Sequence, residues 1–344
     1  MSLKEFPLPR HFFPEKVDGI WRVPYQERAL DARKWAIDYK ISPSSTDSPT
    51  VGLLLVDTQN TFCLPDFELF VGGRSGTGAI DDNRRLCSFM YRNLGHITQV
   101  IATLDTHLGI QIFHPIFWVD DKGHHPDPMT IISVQDVEMG RWKINPHLAL
   151  HSKEADISYL EEYARHYVKE LAHGGKFPLM IWPYHAMLGG IGHALVSSVE
   201  EACFFHSQAR IVQTAFEVKG ENPLTENYSV LKPEVLHDSE GKIIGGLDRG
   251  LTNRLLHFDR LIIAGQAKSH CVAWTVADLL CEIKKIDSKQ ARRIYLLDDC
   301  SSPVVIPGII DFTEETDKVW EKFGDAGMHR VLSSTPIESW PEFL

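Results

Sequence analysis

"IIAGQAKSHCVAWTVADLL", residues 262–280, decides how the rest of the chain is read. It opens on a short apolar run that stops at Gly265 and closes on a stretch with apolar residues at helical spacing. Strand, tight junction and helix in that order form one half of a βα unit, the building block of a parallel sheet. The junction carries Cys271. A thiol where strand gives way to helix is expected near unpaired backbone N–H groups, an environment that lowers its pKa.

Working outward, the same rhythm recurs. "VGLLLV", residues 51–56, is a continuous apolar run, as for a strand buried on both faces. "ITQVIATLDTH" reads as a second strand, "FPLMIWPYH" as a third, "ARIVQTAFEVKG" as a fourth, "FDRLIIAGQA" as a fifth and "RRIYLLDDCSS" as a sixth. Helical patterns separate most of them, including residues 80–94 and 157–171. The expected fold is α/β, a mostly parallel central sheet with helices on both faces, a Rossmann-like three-layer arrangement. Residues 1–48 are rich in proline and read as an N-terminal extension wrapping a core at 49–344. Residues 115–175 interrupt the strand–helix rhythm and read as an insertion that covers one side of the site.

Composition narrows the function. The chain has 344 residues and a net charge of −11, and no basic run, which speaks against nucleic acid or an anionic membrane as partner. No apolar stretch is long enough for a membrane helix, and the N-terminus lacks the apolar region of a signal peptide, so a cytoplasmic setting is expected. The six cysteines include no Cys-x-x-Cys pair, so a thiolate zinc site is not expected.

Ligands of parallel sheets bind beyond the carboxyl ends of the strands. The polar residues read at those ends are Asp57, Asp105 with His107, His185, Lys219 and Cys271. Cys271 as nucleophile, Asp57 as proton acceptor and donor, and Lys219 as a nearby cation meet the needs of covalent amide hydrolysis. Backbone N–H groups near Ala267 and Cys271 would form the oxyanion hole. Asp105 and His107 alternate at one strand end, His114 follows, and His185 closes another; one carboxylate with two or three imidazoles suits a divalent metal with open positions. Taken singly, Lys219 reads more readily as a solvated strand-end lysine, and Asp57 also fits a turn or helix cap; the conjunction favours the catalytic reading.

"VDTQNTFC", "TLDTHLGIQIFH", "WPYH", "VKG…NYS" and "AGQAKSHCV" stand in the order seen in nicotinamidases, of the isochorismatase-like superfamily of cysteine hydrolases. The resemblance covers roughly residues 50–115 and 176–335, and "GDAGMHRVLSST" resembles the family's closing helix-to-strand turn. It implies an Asp57–Lys219–Cys271 triad, metal ligation by Asp105, His107 and His185, and a cis peptide near Gln266–Ala267. It also implies a pyridine pocket lined by Phe62 and Trp182, and a small-molecule amide as substrate. The metal it implies is divalent, zinc first, with iron or manganese as options, and relatives are often homo-oligomers. His114 matches a further histidine that ligates in some members, but one residue more separates it from His107 than in the family pattern. Thr61, Ala186 and Ser269 replace residues usual in the family, which bears on pocket shape and hence on substrate. The function so implied is hydrolysis of nicotinamide to nicotinate and ammonia through a Cys thioester. Another small amide or ureide is the alternative within the superfamily, and a non-catalytic ligand-binding relative is the alternative outside it.

Overall fold

Val51–Val56 (β1) is buried along its whole length. Val51, Leu53 and Leu55 pack into one hydrophobic layer, Leu54 and Val56 into another, as the two-residue period of a strand requires. The computed structural model describes residues 5–148, 156–175 and 177–343. Around β1 stand Gln99–Asp105 (β2), Ala215–Lys219 (β3), Arg260–Gly265 (β4), Ile294–Leu297 (β5) and His329–Val331 (β6). They form one six-stranded sheet in the order β6-β5-β4-β1-β2-β3, with every neighbouring pair parallel. The isochorismatase-like α/β architecture expected from the sequence is therefore present.

The longer helices among the described residues are Tyr25–Asp38 (α1), Gly78–Arg92 (α2), Ile157–His173 (α3), Ser197–Arg210 (α4), Arg249–His257 (α5), Ala273–Ile286 (α6) and Thr313–Asp325 (α7). The layer of Leu53 and Leu55 takes its partners from α1, α2 and α4, through Ala32, Leu86, Phe89, Ala202 and Phe205. The layer of Leu54 and Val56 takes them from α5, α6 and α7, through Leu255, Val276, Leu279 and Trp320. From β1 the chain runs outward to β2 and β3, then returns to β4 and runs outward the other way. The strand order thus reverses between β1 and β4, and a crevice opens there at the carboxyl ends.

Three local readings are corrected. "FPLMIWPYH" does not join the central sheet: only Leu179–Met180 is extended, paired antiparallel with Ile131–Ile132 of the insertion. Residues 209–210 of "ARIVQTAFEVKG" end α4 rather than begin a strand. The strand-end position read for His185 is accordingly a loop position.

The insertion has its own core. Tyr163, Tyr167 and Leu171 of α3 pack with Phe117, Trp118 and Ile144, and against Leu179, Trp182 and Leu224 of neighbouring segments. The arm lies on α4, where Arg28 meets Glu201 at 2.6 Å and Arg210 bonds both Asp47 and the Ser42 carbonyl.

Candidate active site

The switch point brings together residues far apart in the chain. Asp57 follows β1 directly and has a positive φ of 47°, a conformation that short polar side chains tolerate better than most. The turn leaves Asp57 fully buried, with its backbone N–H donating to Thr103 Oγ1 at 3.0 Å and Thr103 Oγ1 donating back to its carboxylate. Lys219 ends β3, and its Nζ lies 3.0 Å from Asp57 Oδ2, 2.9 Å from Asp105 Oδ1, 2.7 Å from the Asn227 carbonyl and 3.6 Å from Cys271 Sγ. The three residues read from the sequence as a triad therefore meet around one ammonium group.

Gly220 makes this approach possible. Its φ is +90°, and a Cβ there would sit 2.9 Å from Asp105 Oδ1 and 3.2 Å from His107 Cδ2. Any larger residue would displace the carboxylate that holds Lys219.

Beside the triad stand the histidines. One ring nitrogen from each of His107, His114 and His185 lies within 4.8 Å of the others, and all three residues are buried. These three could hold a metal ion. His107 Nδ1 faces the His185 carbonyl at 3.1 Å and His185 Nδ1 faces the Pro183 carbonyl at 2.7 Å. Backbone contacts of this kind orient an imidazole and leave its Nε2 for a metal. Neither ring nitrogen of His114 makes a hydrogen bond of normal geometry, which is unusual for a buried polar group. Burial, helped by His107, depresses His185 well below the usual imidazole range, and the same pair of causes brings His114 down to about 3. Both rings are therefore neutral and able to ligate. Asp105 stands at the edge of the group, 3.2 Å from His107 Nε2 and 3.9 Å from His185 Nε2. The chemistry of the donor set fits a divalent metal ion.

A cavity of about 250 Å³ opens onto these groups, lined by Phe62, Trp182, Phe113, Tyr228, His270 and Cys271 among others. Phe62 and Trp182 both flank His185, at ring distances of 5.7 and 6.4 Å. The peptide between Gln266 and Ala267 is cis, and Ala267 lines the same cavity.

With this geometry in place, comparison with solved structures identifies the architecture. Yeast nicotinamidase, solved with the inhibitor nicotinaldehyde, superposes with a TM-score of 0.50 at 17% identity, over 82% of this chain and 100% of that one. This is the nicotinamidase fold. A nicotinamidase/pyrazinamidase of Acinetobacter baumanii aligns at 17% identity over 84% of this chain and 99% of that chain, with a TM-score of 0.47. A zinc complex of Pyrococcus horikoshii pyrazinamidase does so at 17% identity over 83% and 99%, with a TM-score of 0.42. No family model matches the sequence, and no curated protein matches it either.

Within the nicotinamidase fold, one expectation for Cys271 is not met. It lies inside a π-helical turn, Lys268–Val272, that leads into α6, and its thiol is pushed well above the usual range rather than below it. Burial is the main cause; Lys219 pulls the other way, and Asp57 and Asp105 add to the rise. Burial also raises Asp57, against the pull of Lys219. Asp105 is held below the usual carboxylate range: burial opposes this, but His107 and Lys219 prevail. Lys219 itself is disfavoured by burial, yet Asp105 and Asp57 carry it well above its ordinary value. Burial thus favours the neutral thiol, and Lys219 is the group that opposes it.

Several residues escaped the sequence reading. Gln59 donates to the Asp105 and His193 carbonyls at 2.8 and 2.9 Å and accepts from the Asp105 N–H at 2.8 Å, fixing the peptide that presents Asp105. Thr103 holds Asp57. Glu226 comes from the connection after β3 and lines the cavity beside Asn227 and Tyr228, which belong to the NYS motif read from the sequence. Gln59 and Thr103 each lie two residues from a singled-out carboxylate, a signal available in principle; Glu226 had none.

Proposed function

We propose that this chain is a cysteine amidohydrolase acting on small ring carboxamides, nicotinamide first among them, to give the carboxylic acid and ammonia. The observation that carries the reading is the convergence of Asp57 and Cys271 on Lys219 at the wall of an aromatic cavity. The fold alone would not carry it, since one fold hosts many reactions.

In this reading the cavity excludes water and holds the amide against Cys271. Sγ attacks the carbonyl carbon as its proton passes to Asp57, so the thiol need not be ionised at rest. The backbone N–H groups of Ala267 and Cys271 take the developing oxyanion. Lys219 remains charged throughout and stabilises the thiolate character that builds on sulfur. Asp57 returns the proton to the leaving nitrogen, the C–N bond breaks and ammonia departs, leaving a thioester. A water then attacks with Asp57 as base, the C–S bond breaks, and the acid leaves with Cys271 protonated again. A divalent ion held by His107, His114 and His185, with Asp105 at its edge, would supply a Lewis acid for a ring nitrogen or a water.

The test is ammonia release from nicotinamide, pyrazinamide, benzamide and a set of small aliphatic amides and ureides, with metal content measured on the same sample. Turnover of at least one ring amide, abolished in Cys271→Ala with fold and metal retained, is the expected result. Full activity in Cys271→Ala would remove the covalent mechanism. Turnover of the aliphatic set alone would move the assignment to the other amidases of the superfamily.

A further inference from the structure

Behind the cavity wall, three hydrogen-bond donors converge on one buried carboxylate. Trp182 Nε1 and Tyr228 OH donate to Glu226 Oε1 at 3.1 and 2.8 Å, and Tyr167 OH donates to Oε2 at 3.1 Å. The Glu226 backbone N–H donates to the same Tyr167 oxygen at 3.0 Å. Trp182, Tyr228 and Glu226 line the cavity; Tyr167 stands behind them on α3 of the insertion. No cation among the described residues forms an ion pair with Glu226. Burial pushes its carboxyl up to about 7; the Tyr228 bond resists this, Glu234 adds to it, and the Trp182 and Tyr167 bonds resist.

An indole and two phenols offering protons to one point need a group that only accepts, and a carboxylate with about four acceptor sites is that group. The two rings it grips are cavity walls, and both stand close to His270, at 6.1 and 5.5 Å. The link to the insertion is reinforced nearby, where Tyr163 OH donates to the Leu224 carbonyl at 2.8 Å and His166 meets the His237 carbonyl at 2.9 Å. The residue after Glu226 is Asn227, whose carbonyl holds Lys219.

We propose that Glu226 is a positioning residue: tied to Tyr167 of the insertion, it fixes the rings of Trp182 and Tyr228, so the insertion sets the affinity of the cavity for flat aromatic amides. Among its described residues the insertion adds only Met129 to the lining, so its influence on the substrate passes chiefly through this carboxylate. The inference rests on the ring-amide reading above for its ligand class, and it is tested by binding so that the two can fail separately.

The experiment uses the full chain in a Cys271→Ala background, which cannot turn over in the proposed mechanism. Binding of nicotinamide and of benzamide is followed by indole fluorescence, with Trp182→Phe as the blank that isolates the signal of Trp182. Tyr167→Phe removes the insertion's donor together with the acceptor of the Glu226 N–H, and Glu226→Gln keeps an acceptor for Trp182 and Tyr228. Each is expected to weaken ring-amide binding about 3- to 10-fold, as for loss of one charge-assisted bond, with Glu226→Gln the milder and Glu226→Ala the more severe. In the active chain the same changes should raise KM with kcat within about twofold. A purely structural tie would lower Tm and the active fraction but leave the Kd of the folded protein unchanged. An unchanged Kd in both Tyr167→Phe and Glu226→Gln, or no binding of either ring amide, overturns the proposal. Ring-amide binding that weakens as stated while no amide is hydrolysed would sustain it and sink the amidase reading instead.

Discussion

Lys219 is the residue on which the site is balanced. It faces two carboxylates and a thiol, so replacing it with methionine leaves like charges facing each other in a buried space. Because Lys219 is what lowers the Cys271 pKa against burial, its removal must move that pKa further up. The expected outcome for Lys219→Met is a Cys271 alkylation profile displaced to higher pH and a kcat/KM down about a thousandfold or more. An iodoacetamide pH–rate profile checks it, and an unshifted profile would mean that Lys219 does not act on the thiol. His114 is the second case. The sequence left it open because of one extra residue after His107, but the 108–113 loop folds back, with His114 N–H bonding the Gln111 carbonyl at 2.8 Å and Ile112 N–H bonding that of Pro223 at 2.8 Å. His114→Ala and His185→Ala should each lower bound metal by elemental analysis; full stoichiometry in His114→Ala would remove it from the ligand set.

At the scale of elements, the strands that bury both faces were legible because a continuous apolar run has few other uses. β1, β2, β4 and β5 lie where the runs are. Residues 177–185 carry the same signal, yet their extended part pairs with the insertion, and periodicity says nothing about which partner a strand will find. Helix α4 was illegible for a different reason. Its buried side includes Ser197, Glu201, His206 and Arg210, polar residues that bond the arm or the Ile97 carbonyl, so no apolar stripe marks it. The connection from β3 to α5 showed only the NYS motif at 227–229 and no periodicity, so Glu226, which it brings to the cavity, went unread. Gly220 begins that connection, and Gly220→Ala tests how tightly it is built. The Cβ clash and the positive φ predict a loss of about 1–3 kcal/mol in stability together with a drop of about tenfold or more in kcat/KM, read from thermal unfolding and steady-state kinetics. A stable variant of normal activity would show that the contact with Asp105 relaxes freely.

At the scale of the molecule, reading residues 1–48 as an extension says nothing of what they cover. Their burial of Glu201 and Arg210 makes them part of the same folding unit in our reading. Truncating at residue 48 strands both charges, and breaking buried pairs of this kind costs about 3–5 kcal/mol each. The truncated chain is expected to be insoluble or to unfold at least about ten degrees lower, while any folded fraction keeps its KM because none of the arm's described residues lines the cavity. Differential scanning calorimetry with kinetics on the soluble fraction decides the matter; an unchanged Tm would make the arm an independent appendage.

One consequence concerns how the protein would fail. Lys219 rides on β3, which pairs only with β2 at the margin of the sheet and leaves Phe216 and Val218 about half exposed. Cys271 and Asp57 belong to the sheet's centre. Margins of a sheet open at lower free energy than its middle. Loosening of β3 alone would therefore withdraw the cation from the nucleophile while most of the fold persisted. In a urea titration, activity should vanish before the far-ultraviolet circular dichroism of the sheet and helices begins to fall, and amide exchange at 215–219 should outpace that at 51–56.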